Sequence, residues 1–242
     1  MTRGKMIMRK PHLLLCILLL LLPLFTWGQA LRIAQLENTP DHILGGKLLE
    51  AIYKKANIPL ELVIIPSARA LIQSSSGKVD GELQRIYKLA DSYPTLLRVP
   101  TPFTYFEPAA FATDSKIKIQ GWHSLQDYKV AMVRGMKFAE LGLKGFKQVQ
   151  QVTGSDQLFN MLSAGRADII VSARFNGLYQ ISKFNLYKVK QLNPVLDRHQ
   201  LYHYLHIKHK KLVPIIDAAI QVMTESGELA KLRKQYYKDI LR

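Results

Sequence analysis

Several polar side chains in this sequence have a type and a spacing that could do chemistry. Glu82 and Arg85 stand three residues apart just after Asp80-Gly81. They read either as a structural ion pair bracing a hinge or as part of the polar wall of a crevice. Arg134-Gly135 follows the apolar run Lys129–Val133 and precedes a helical pattern. Free backbone N–H groups, a helix dipole and a cation would converge there on an anion, unless the pair is a routine strand–helix turn. Arg174 and Asn176 follow a second apolar strand and could clamp a carboxylate or phosphate, or lie solvated in a loop. Arg69, one turn into a helix, adds another cation. Phe103 and Tyr105 offer an aromatic wall or packing between lobes.

Two other chemistries compete. His199, His203, His206 and His209 would put three imidazoles on one helical face, a zinc or nickel geometry. However, Leu201–Ile207 alternates as a strand does, which sends His203 and His206 to opposite faces. No metal site and no cofactor are therefore expected. Glu82 or Glu107 could serve as a proton donor if raised in pKa, as in a dehydratase. Against an enzyme, there is no GxSxG nucleophile motif and no metal spacing that holds.

The elements that must position these residues begin with a repeat. Ser67–Leu83 (SARALIQSSSGKVDGEL) and Ser155–Val171 (SDQLFNMLSAGRADIIV) align without a gap, 88 positions apart, at Ser67/Ser155, Gly77/Gly165, Lys78/Arg166 and Asp80/Asp168. Each copy reads as a helix with a serine at its N-cap, a left-handed glycine at its end, and then a strand. Asp80 and Asp168 read as local caps at the strand starts. Two similar α/β units suggest two lobes with a crevice between them. The remaining pattern is a strand at Leu31–Ala34, a polar loop at Gln35–Asp41, a helix at Ile43–Ala56 and a strand at Leu60–Ile65. Pro100, Pro102 and Pro108 make Leu97–Phe111 an extended crossing segment. A helix at Met136–Leu143, a strand at Val189–Leu192 with a return crossing at Asn193-Pro194, and terminal helices at Leu212–Thr224 and Glu228–Tyr237 complete it.

Met1–Lys10 carries four cations and no acid, Leu13–Phe25 is almost wholly apolar, and Gly28-Gln-Ala30 fits a small-x-small cleavage rule. This is the pattern of a cleavable signal peptide, residues 1–30, or, left uncleaved, of an N-terminal anchor. Leu15 before Cys16 lacks the small side chain that lipidation needs. Cleavage at Ala30 leaves 212 residues without cysteine, a chain that crosses into an oxidising compartment yet relies on packing alone. The whole chain carries a formal +16, and removing the leader leaves +12. The cations are spread along the sequence, which points to an acidic ligand or the anionic envelope and away from nucleic acid.

The motifs SSGKVDGEL, TPFTY, SLQDYKVAMVRG, LSAGRADIIV and ESGELAKLRKQYY occur in this order across Leu31–Tyr237. In this the chain resembles the family 3 periplasmic solute-binding proteins, with PSARAL and DGELQRI as in their compact members. The resemblance implies a type II, Venus-flytrap α/β fold whose second lobe is inserted into the first. Lobe 1 is expected from 31–111 plus 196–242 and lobe 2 from 112–195. It also implies a periplasmic monomer that captures a small polar, anionic or zwitterionic ligand by hinge motion, without chemistry, for an inner-membrane transporter or a sensor. The family's amino-acid binders use an Arg after the DG strand and an Asp after the lobe-2 GxxD strand. Tyr87–Ser92 has no Arg, and Ser172/Ala173 stand where the Asp is expected. An ammonium buried without that carboxylate would cost several kcal/mol, so the family's usual ligand does not carry over.

Overall fold

The computed structural model describes residues 29–37 and 39–241. The expected leader and Cys16 lie almost wholly outside the described residues. Among the described residues no helix is long and apolar enough to cross a membrane.

Lobe 1 opens with β1 (Leu31–Leu36), α1 (Pro40–Lys55), β2 (Leu60–Ile65), α2 (Ser67–Ser75) and β3 (Gly81–Arg85). A short helix, α3 (Leu89–Ser92), then leads to β4 (Leu96–Arg98) and β5 (Thr104–Phe106). The chain crosses into β6 (Pro108–Ala112), β7 (Val130–Val133), α4 (Lys137–Gly142), β8 (Val149–Val152), α5 (Ser155–Ser163), β9 (Ile169–Ala173), α6 (Arg174–Lys183) and β10 (Lys190–Gln191). It returns through β11 (His199–His206) to α7 (Val213–Glu225) and α8 (Glu228–Leu241).

These strands form two sheets. The first has the order β2-β1-β3-β11-β4, with β5 also paired to β11, and the second the order β10-β6-β9-β7-β8. In the first, β1 runs parallel to β2 and β3, while the returning β11 is antiparallel to β3. Alternation along β1 sends Leu31 and Ile33 to a core with Leu48, Leu49 and Ile52 of α1 and Ile216 and Ile220 of α7. Ala34 faces the opposite core with Ala70 of α2. The second sheet is buried on both faces at its centre, so β6, β7 and β9 are nearly continuous apolar runs. Ala110, Val130, Met132 and Val171 pack with Ala139 of α4. Phe111, Ala131 and Ile170 pack with Leu158 and Phe159 of α5. The expected boundary after Phe111 falls inside β6, a strand of the second sheet.

The repeat folds twice into the same unit. Gly77 and Gly165 both have positive φ, +76° and +67°, after their helices. Asp80 Oδ2 accepts from the N–H of Arg32 at 2.8 Å, and Asp168 Oδ2 accepts from the N–H of Lys129 at the same distance. Each aspartate thereby ties its own strand to the start of the neighbouring parallel strand. The cap positions differ from expectation: Pro66 and Gly154 occupy the N-caps, and the serines are the first helical residues.

Candidate functional site

In open α/β sheets the groups that meet a ligand lie at the carboxyl ends of parallel strands. Here an arginine stands at or just beyond four such ends. Arg69 follows β2, Arg85 ends β3, Arg134 follows β7 and Arg174 follows β9. The two carboxyl edges face each other, because α1 and α6, which follow β1 and β9, meet at their N-termini. Asn176 Oδ1 of α6 accepts the N–H of Asp41 in the first turn of α1 at 3.1 Å. Thr39, at the N-cap of α1, makes no side-chain cap bond, so one of the free donors of that helix is satisfied from the other lobe.

On the lobe-1 edge, Glu82 is fully buried and Arg85 is 17% exposed, with a guanidinium nitrogen 2.8 Å from the Glu82 carboxylate. Arg85 Nε donates to Glu82 Oε2 at 2.9 Å, and Ser74 Oγ donates to Oε1 at 2.6 Å. Every oxygen of that carboxylate is thus occupied by the protein itself. Buried His42 accepts the N–H of Leu36 on Nδ1 at 3.3 Å and closes the end of β1. Burial, together with the Arg85 charge, pushes its imidazole down to about 3, so it is neutral. Gln84 Nε2 donates to the Asp41 carbonyl at 3.2 Å and ties β3 to α1. Asp41 is pushed up to about 7, chiefly by burial, with Arg233 opposing the rise and Glu107 adding to it. Arg69 is exposed in the first turn of α2 and makes no ion pair among the described residues.

On the lobe-2 edge, Arg134 is exposed beyond β7 and likewise makes no ion pair among the described residues. Gly135 adopts φ +85°, which glycine reaches without a Cβ penalty. Its N–H is already taken, since it donates to Glu140 Oε1 at 2.9 Å while Lys137 Nζ lies 2.7 Å from Oε2. The helix α4 also begins one residue later than expected, at Lys137. Of the pair, the arginine side chain is therefore the group left to meet an anion.

At the hinge, Glu107 is the one residue between β5 and β6. Arg174 Nη1 donates to its Oε2 at 2.9 Å and Arg198 Nε to its Oε1 at 2.9 Å. Burial pushes Glu107 up, but these two guanidiniums outweigh it and leave the carboxyl below its usual range. Arg174 Nε also donates to Gln191 Oε1 at 2.9 Å. Arg198 and Arg233 lie over the Tyr105 ring at 4.5 and 3.9 Å from its centroid. Phe103 is only 5% exposed and packs in the lobe-1 core.

The histidines do not converge. β11 is a strand, as its alternation predicts, and no metal-competent cluster of His, Cys, Asp or Glu exists among the described residues. His203 is fully buried. Its Nδ1 lies 2.8 Å from the Glu82 carbonyl and its Nε2 2.8 Å from Tyr53 Oη. A carbonyl can only accept, so Nδ1 carries the proton and Nε2 accepts from the tyrosine. Asp41, His42, Arg198, Arg233 and Tyr237 escaped the sequence reading, since each reaches the interlobe region from a distant part of the chain.

No family model matches the chain. An uncharacterized protein of Shewanella oneidensis is 28% identical over 207 residues, 81% of this chain and 78% of that protein. A histidine kinase sensor domain with similarity to periplasmic binding proteins superposes with a TM-score of 0.67 at 18% identity, over 86% of this chain and 96% of that one. An amino acid ABC transporter substrate-binding protein of Streptococcus pneumoniae, bound to L-arginine, gives 0.65 at 17% identity over 88% and 96%. The periplasmic VFT2 domain of Bordetella pertussis BvgS gives 0.63 at 14% over 86% and 93%. At these identities the likeness establishes the architecture. The chain has the two-lobed type II periplasmic-binding fold that its resemblance to the family 3 solute-binding proteins implied.

Proposed function

We propose that this protein captures a small anionic or zwitterionic solute between its lobes in the periplasm, without altering it, and presents it to an inner-membrane transporter or a sensor. The reading rests above all on the arginines at the four strand ends. Arg85 is paired with Glu82, and Arg174 shares Glu107 with Arg198. Arg69 and Arg134, one from each lobe, remain exposed for a ligand. A ligand held by both makes its full set of contacts only when the lobes are closed, which is the differential affinity that shifts an open–closed equilibrium. The sensor domain and the substrate-binding protein of the same fold support the two destinations. A dehydratase-like reading gains no support from Glu82 or Glu107, each held by arginine.

Calorimetric titration of the purified protein with amino acids, dicarboxylates and other small acids tests this. A charge-assisted hydrogen bond contributes about 1.5–3 kcal/mol, so Arg134→Ala and Arg69→Ala should each weaken the bound acid about tenfold or more without unfolding the protein. Unchanged affinity in both variants would move the ligand elsewhere.

A further inference from the structure

A cavity of about 650 Å³ lies beside the hinge, where α8 passes the start of α6. Its lining includes Arg174 from lobe 2 and Arg233, Lys234, Tyr237 and Lys238 from α8, with Glu107 its acid. We propose that this cavity is a second ligand site, which shares only Arg174 with the strand-end arginines of the crevice, and that it takes a compact oxyanion of two or more negative charges, such as a polycarboxylate or a phosphate.

Charge accounting points there. Glu107 is already shared between Arg174 and Arg198, and so does not neutralise α8. The guanidinium of Arg233 donates to two uncharged acceptors, Thr104 Oγ1 at 2.6 Å and the Tyr105 carbonyl at 3.1 Å. Lys234 and Lys238 are exposed, make no ion pair among the described residues, and sit at i and i+4 on one helix. Like charges at that spacing repel, and a bound dianion relieves the repulsion. Tyr237 also lines the cavity, but its Oη is buried and without a hydrogen-bond partner among the described residues, so it is not one of the donors an anion there would meet.

The location gives the site a consequence for closure. Tyr237 packs on Phe175 of α6 with ring centroids 4.4 Å apart, and Ser182 Oγ donates to the Leu241 carbonyl at 2.7 Å. An anion bridging Arg174 to the α8 lysines therefore spans a junction between the lobes. It favours whichever lobe angle brings the two sides together, and so couples to solute capture.

Citrate and inorganic phosphate are the probes, titrated separately by calorimetry at ionic strength matched with sodium chloride. Expected is binding of at least one anion to the unmodified protein, retained in Arg134→Ala and weakened at least tenfold in Lys234→Gln/Lys238→Gln. Both lysines are exposed, so the double variant should fold, and its circular dichroism checks this. Unchanged affinity in the lysine variant, loss in Arg134→Ala, or no binding of either anion to the unmodified protein overturns the proposal. The crevice reading is judged on its own solute and on Arg69, so either can fail alone.

Discussion

Glu82 and Glu107 illustrate what spacing can and cannot reveal. The Glu82–Arg85 pair lies three residues apart in the chain and was visible as a candidate pair before any fold was known. What spacing left open was its role, and the answer is burial: Ser74 and Arg85 fully occupy the carboxylate inside lobe 1. Glu107 meets Arg174 and Arg198 across 67 and 91 residues of chain. No local pattern encodes such a contact, because the chain's double crossing of the hinge creates it. His203 is a similar case, with a partner in Tyr53 that lies 150 residues away. Its burial has a pH signature. Burial holds His203 down to about 4 and His42 to about 3, whereas the unfolded chain titrates them near pH 6.5. The unfolded state therefore binds more protons as pH falls below 6.5, and stability is lost between about pH 6.5 and 3. Asp41 has the opposite sign. Its folded value, about 7, lies above the unfolded 3.8, so its protonated form favours the native state as pH drops from 7 toward 4. Urea midpoints at pH 7 and pH 5 should fall for the unmodified protein, fall less for Tyr53→Phe/His203→Leu, and fall more for Asp41→Asn. Equal falls in all three would contradict the assignment.

Among the elements, the duplicated helix–glycine–strand unit was the most legible part of the sequence, since glycine, cation and aspartate recur in register. Both copies fold as helix then strand, and both aspartates anchor the adjacent parallel strand. The proline-rich crossing was legible for a similar reason: proline excludes helix, and β5 and β6 are short extended pieces. The helix α6 was not. Its sequence RFNGLYQISK contains Asn176 and Gly177, both poor helix formers, and local propensity gives no reason to prefer helix over loop. The reason is tertiary. A Cβ on Gly177 would run into the Phe111 ring of β6, well inside van der Waals contact with its outer carbons, so this glycine is the price of seating α6 against the sheet. Gly177→Ala should consequently destabilise the protein by about 1–3 kcal/mol, as overpacking does, despite the higher helix propensity of alanine. Chemical denaturation measures it, and a stabilised variant would show that α6 can lift off β6 at little cost. The edge strand β8, VQQV, was also missed, because its two central glutamines are exposed and carry no apolar alternation.

For the whole molecule, the resemblance carried the architecture further than the ligand. Two sheets, a double crossing and helices on both faces follow from motif order, while the departures from the amino-acid binders' charge pattern leave the solute to be found by titration. The lobes meet in this structure at α1 and α6, where Asn176 caps Asp41 across the crevice. A hydrogen bond of this kind contributes about 0.5–1.5 kcal/mol, so Asn176→Ala should lower the closed population and weaken solute affinity roughly twofold to tenfold. Affinity unchanged in that variant would mean the contact does not help set the lobe angle. The same contact also makes the Asp41 amide proton a clock for the hinge. With the lobes apart, the capping oxygen is gone and solvent can reach that N–H, so its deuterium uptake should track the fraction of time the crevice stands open, while amides such as Ile33 and Leu83, deep in lobe 1, exchange only when the lobe itself unfolds.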